Sequence, residues 1–133
     1  MTASERITQE VGGWDGVEAG PGRRGEFAFR LGHRELGHLH GDHAAHFSFP
    51  HDRWEELAAE GRIVEHPVFP GKHGPAARRI EDESDVDDVI ALMRINYEAA
   101  LARGSAQISS LASSASSSRS GSTGPERPTS SAS

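Results

Sequence analysis

Six of the eight histidines in this chain fall within Leu31 to His51, LGHRELGHLHGDHAAHFSFPH. Neutral imidazole ligates zinc, iron, copper and nickel and exchanges protons near neutral pH, so this stretch is where chemistry would be sited. Read at strand spacing, Glu35 to His40 and His43 to Phe49 flank Gly41-Asp42, a pair suited to a two-residue hairpin turn. That turn predicts His40 opposite His43, His38 opposite Ala45 and Leu36 opposite Phe47. Because side chains alternate along a strand, His38, His40 and His43 then share one face while His46 points to the other. Three imidazoles so placed match an open three-histidine metal site for zinc or iron. Histidines that only pack or contact a ligand give the same pattern, and no H-E-x-x-H spacing separates the two readings. The register decides the matter, since a slip of one residue dissolves this cluster.

The surrounding elements must hold that hairpin in place. Ser4 to Val11 reads as a short helix capped by Ser4, and Trp14 to Ala19 as a strand ended by Gly20-Pro21-Gly22. Gly25 to Leu31 alternates, with Phe27, Phe29 and Leu31 on one side, as a half-buried strand does. Pro50 opens a helix reaching Glu60, with Trp54, Leu57 and Ala58 as its apolar stripe and Gly61 as its stop. Ile63 to Phe69 is a strand that Pro67 demotes to an edge, and it carries His66. After the loop Pro70 to Pro75 comes a last strand, Ala76 to Ile80, in which Arg78 and Arg79 face opposite ways.

The acidic run Glu81 to Asp88 lacks the D-x-D-x-D-G pattern of a calcium loop and reads as a helix start, with Ser84 and Asp87 as a capping-box variant. Val86, Val89, Ile90, Met93 and Tyr97 then recur at helical spacing, in a helix ended by Arg103-Gly104. From Ser105 onward serine and small residues dominate, a composition that cannot bury enough surface to offset ordering entropy. The expected organisation is one domain over residues 1–103 and a disordered tail over 104–133.

Composition bounds the function. The chain has 133 residues and 35% hydrophobic content, low because of the serine-rich end, so one modest core is expected. The absence of cysteine excludes disulfides, thiolate metal sites and cysteine nucleophiles. Net charge is −6, and the tail from Gly104 carries Arg119 and Arg127 against Glu126, which leaves the body at −7. An acidic body has no electrostatic footprint for nucleic acid. No apolar run approaches the ~20 residues of a membrane span, and MTASERITQE lacks a signal-peptide core, so a cytoplasmic protein is expected.

Several motifs together resemble a small bacterial and fungal family, the luciferase-like domain. They are Trp14-x-Gly16-Val17, Glu26-Phe27-x-Phe29-Arg30, Arg34-Glu35-Leu36-Gly37-His38-Leu39-His40-Gly41, Phe47-x-Phe49-Pro50, His66-Pro67-Val68-x-Pro70, Arg79-Ile80 and Asn96-Tyr97-Glu98. The resemblance spans roughly Val11 to Arg103, and G-H-L-H-G is its most specific part. Where members of that family carry a Gly-Trp-Val type of segment, this chain has Gly74-Pro75-Ala76 and no tryptophan, which implies a different ligand if that aromatic lines a pocket.

The element order predicts an α+β fold, an antiparallel twisted sheet of about five strands with the C-terminal helix on one face and a short helix between strands. The expected function is binding of a small molecule in a pocket beside the G-H-L-H-G hairpin. His38 and His40 serve there as general base or polar anchor, and Arg34, His66 and Arg79 as ligand contacts. The alternatives are a metal site of His38, His40 and His43, and a non-catalytic domain that binds another protein. No organic cofactor is expected.

Overall fold

The computed structural model of the protein describes residues 1–119, with side chains described to residue 104. Its elements run α1 (Ala3–Val11), β1 (Val17–Pro21), β2 (Phe27–Leu31), β3 (Arg34–His40), β4 (Ala44–Ser48), α2 (His51–Ala59), β5 (Val64–Glu65), β6 (Pro75–Arg79) and α3 (Glu83–Arg119). The six strands form one sheet in the order β1-β2-β3-β4-β6-β5, antiparallel at every pairing. The class is α+β, as the element order predicts. Met1–Glu98 is a compact unit containing the whole sheet, and from Ala99 the helical trace belongs to a second unit. α3 therefore runs past the expected end at Arg103, and of the expected tail the residues 120–133 lie outside the described residues. No described helix is long and apolar enough to cross a membrane.

Alternation sorts each strand into a core face and an outer face. Phe29, Leu39, Ala45, Phe47 and Ala76 are buried in one cluster with Ile7 and Val11 of α1 and Val86, Val89, Leu92, Met93 and Tyr97 of α3. Burying an aliphatic or aromatic side chain of this kind contributes about 1.5–3 kcal/mol, so this face holds the fold together. α3 is tied to the sheet by polar contacts as well. The Asn96 side chain donates to the Leu36 and Ser48 carbonyls at 3.0 and 3.3 Å, and the Tyr97 hydroxyl donates to the Asp15 carbonyl at 2.7 Å.

Local rules explain the element ends, with some departures from expectation. α1 is capped by Thr2, not Ser4, in a reciprocal capping box with Glu5. The acidic run does start a helix, but its cap is Asp82, which accepts the Asp85 N–H at 3.0 Å, not Ser84. Asp85 and Asp88 are then free to bind Arg78 and Arg62 in a network of charge-assisted bonds at 2.6–3.2 Å. The expected strand over Ile63 to Phe69 is regular only at Val64–Glu65, because a turn closed by Phe69 N–H to His66 carbonyl at 3.0 Å follows Pro67.

One irregularity governs the outer face. The β2–β3 register shifts after Phe29, which pairs with Gly37 while Arg30 pairs with Glu35, so Leu36 is an extra residue, a β-bulge. Gly37 sits where a Cβ would lie 2.9 Å from both Met93 Sδ and Phe47 Cδ1, so only a bare backbone lets α3 approach there. Gly37→Ala should lower stability by about 1–3 kcal/mol, the usual cost of overpacking, because Met93 is fully buried and has no room to retreat. Urea unfolding midpoints check this. Combining the change with Met93→Val should recover part of the loss, and a midpoint unmoved by Gly37→Ala would contradict the packing.

Candidate functional site

The β3–β4 hairpin closes with a three-residue loop. His40 pairs with Ala44, Leu39 with Ala45 and His38 with His46, in place of the expected pairs His40 with His43 and His38 with Ala45. Two long-range bonds account for the extra loop residue. The Asp42 carboxylate accepts the Ser4 N–H of α1 at 2.9 Å, a bond that holds its carboxyl below the ordinary value. The His43 carbonyl accepts the Ile80 N–H at 2.8 Å, which prolongs the β4–β6 ladder by one step. Gly41, with φ of +63°, supplies the left-handed backbone the loop needs.

The shift exchanges one histidine for another. His43 is an exposed loop residue, so the expected set of His38, His40 and His43 is corrected to His38, His40 and His46. Each of those three offers a ring nitrogen within 4.8 Å of the other two. Ring centroids lie 5.1 Å apart for His38 and His40, 5.3 Å for His38 and His46, and 4.4 Å for His40 and His46. The cluster occupies the sheet face turned away from α3. Its cross-strand and neighbouring positions Ala28, Ala44 and Ala77 carry only methyl groups, so the imidazoles have room to tilt.

Two neighbours set the rings' hydrogen-bonding character. The bulge at Leu36 brings Glu35 to the same face as His38, and the Glu35 carboxylate lies 2.8 Å from His38 Nδ1. With Nδ1–H donated to that carboxylate, Nε2 of His38 keeps a free lone pair. The His66 ring lies tilted against that of His46, with centroids 4.1 Å apart, and shows the opposite pattern. Its Nδ1 accepts the Val68 N–H at 3.1 Å, so the neutral ring carries its proton on Nε2 and presents a donor. His46 is half-buried, and its Nδ1 is shielded from solvent without a hydrogen-bond partner among the described residues.

Sequence reasoning missed His46 and Glu35. The strand rule places residues three apart on opposite faces, and nothing local announces the bulge that reverses this for Glu35 and His38.

The expected arginines divide. Arg78 is held by Asp85 and Asp88, and it shares the lining of one groove with Arg79. Arg79, its side chain 79% exposed, meets Glu81 at 3.4 Å and lines an open groove of about 520 Å³ with His43, His46, Val64 and Pro67. Arg34 is exposed at the start of β3, the strand end away from His40.

Burial, followed by the nearby rings of His66, His40 and His38, pushes the His46 pKa down to about 4. Burial also lowers that of His66, with His38 and His40 contributing. At neutral pH His46 is therefore uncharged, the form that binds metals and accepts protons. In chelator-treated protein the unfolded chain takes up a proton near 6.5, whereas the folded ring resists until about 4. The neutral ring's contribution to stability is fully present above 6.5 and is lost as pH falls toward about 4. His46→Asn should flatten the fall of urea midpoint across that window. An unchanged slope would contradict the burial of His46.

Residues 33–96 match the family model described as the luciferase domain, a span that contains β3 to β6 and all of the clustered histidines. No curated protein and no solved structure matches the chain.

Proposed function

From residues 33–96 as a domain of the luciferase family, we propose that the outer-face histidines hold one divalent first-row transition ion, zinc or iron, to which a small molecule binds. The observation that carries this reading is the convergence of three imidazole nitrogens from two adjacent strands, one of them oriented by a carboxylate. His46 is neutral at neutral pH, and a cation is the partner that converging imidazole lone pairs would share. Neutral imidazoles suit both metals. The ring nitrogens, within 4.8 Å of one another, need to draw together to reach Zn–N distances of about 2.0–2.1 Å, a motion that small alanine neighbours permit.

Three protein ligands leave coordination positions open, and these are what make such a site functional rather than structural. An ion there polarises a bound oxygen and lowers the pKa of coordinated water. The small molecule would extend from the ion toward the groove beside Arg79, with the His66 Nε2–H as a hydrogen-bond donor above it. His38 and His40 then act as ligands, and His66 as the polar contact; Arg79 offers charge at the groove's far wall. Arg34, at the other end of β3, has no part in this reading.

Zinc added to chelator-treated protein tests the proposal. Saturation should shift the ring-nitrogen resonances of His38, His40 and His46 and leave those of His43 and His33 in place. His46→Ala should abolish the shifts at His38 and His40, Glu35→Gln should weaken binding about 10–100-fold, and His43→Ala should change nothing. At about 100 times Kd, zinc should stabilise the fold by ~2.7 kcal/mol. Unmoved His38 and His40 resonances at saturating zinc and at saturating iron(II) would overturn the metal.

A further inference from the structure

A second group of ligating side chains stands apart from the outer-face cluster, at the start of α2. His51 and Glu55 are one helical turn apart, so their side chains emerge on the same face. His51 Nε2 lies 3.6 Å from Glu55 Oε2, and His73 Nδ1 makes a close contact with that same oxygen. The three ligand atoms all fall within 4.8 Å of one another, although 51, 55 and 73 come from a helix and a distant loop.

The loop half of this group is held in place. His73 lies flat on the indole of Trp54, with ring centroids 4.3 Å apart and planes 3° from parallel. The two residues after it are anchored. The Gly74 carbonyl accepts the Phe49 N–H at 2.9 Å, and the Pro75 carbonyl accepts the Trp54 Nε1–H at 3.0 Å. Trp54 is itself buried in the core. Its indole is thus a fixed platform that aims an imidazole at Glu55, which removes much of the ordering cost a flexible loop would pay on binding a ligand.

We infer that His51, Glu55 and His73 form a second metal site, a surface site for a divalent transition ion of the copper, nickel or zinc group. Two imidazoles and a carboxylate are borderline-soft and hard ligands together, and the Irving–Williams order puts copper(II) foremost among the ions such a set retains. All three residues are exposed, so water completes the coordination and entry is open. Occupancy ties the loop between β5 and β6 to α2. That loop also contains His66, so the second site braces the loop that reaches over the first cluster.

Copper(II) titration of the isotopically labelled full chain, followed at the two indole N–H resonances, tests this site. A bound copper ion beside His73 should broaden the Trp54 signal at one equivalent for this site. The broadening should persist in His46→Ala, which disables the outer-face cluster. His73→Phe keeps the ring stacked on Trp54 and removes the ligand, and Glu55→Gln changes only an exposed side chain. Each should weaken the broadening at least ~10-fold, since even outer partners of a metal cost that much. A Trp54 signal unaffected at saturating copper, or equally affected in His73→Phe and Glu55→Gln, would overturn the site. So would broadening that disappears in His46→Ala, which would leave a single copper centre at the outer-face histidines.

Discussion

The ladder between β3 and β4 is the constraint on which the site depends. A strand has a period of two, so moving the pairing by one residue exchanges every side chain between faces. Here the exchange keeps the cluster and alters its membership, because the chain has histidines at both 43 and 46. The register is held from outside the hairpin by Ser4 on Asp42 and by Ile80 on the His43 carbonyl, two bonds to distant elements. The core side enforces the same choice. Leu39, Ala45 and Phe47 are buried only in this register, and exposing them would forfeit several kcal/mol.

The same sheet divides labour between its faces. Toward α3 it is apolar and closely packed, down to Gly37, whose missing side chain lets Met93 and Phe47 meet the backbone. Away from α3 it bears imidazoles at mutual distances where protonation of one opposes protonation of the next. His46 is its costly member, half-buried and with Nδ1 lacking a partner among the described residues. The bulge at Leu36 serves both faces, adding an apolar residue to the core and turning Glu35 toward His38.

The regular elements were legible in the sequence because local signals set them: alternation in Gly25 to Leu31, the helical recurrence from Val86 to Tyr97, and Gly61 after α2. The G-H-L-H-G hairpin was legible as a location. What local reasoning could not supply were features decided across the fold. The loop gained its third residue from Ile80, the strand over Ile63 to Phe69 gave way to a turn at His66, and Glu35 joined His38 through a bulge opposite Phe29. His51, Glu55 and His73 meet only because Trp54 and Gly74 bring a helix and a loop together.

Cross-strand nuclear Overhauser contacts in the β3–β4 hairpin test the central claim most directly, without any assumption about metal or ligand. Backbone contacts linking His38 to His46 and His40 to Ala44 are expected. Contacts linking His40 to His43 and His38 to Ala45 would contradict it, because that register turns His46 to the core face and puts His43 in its place beside His38 and His40.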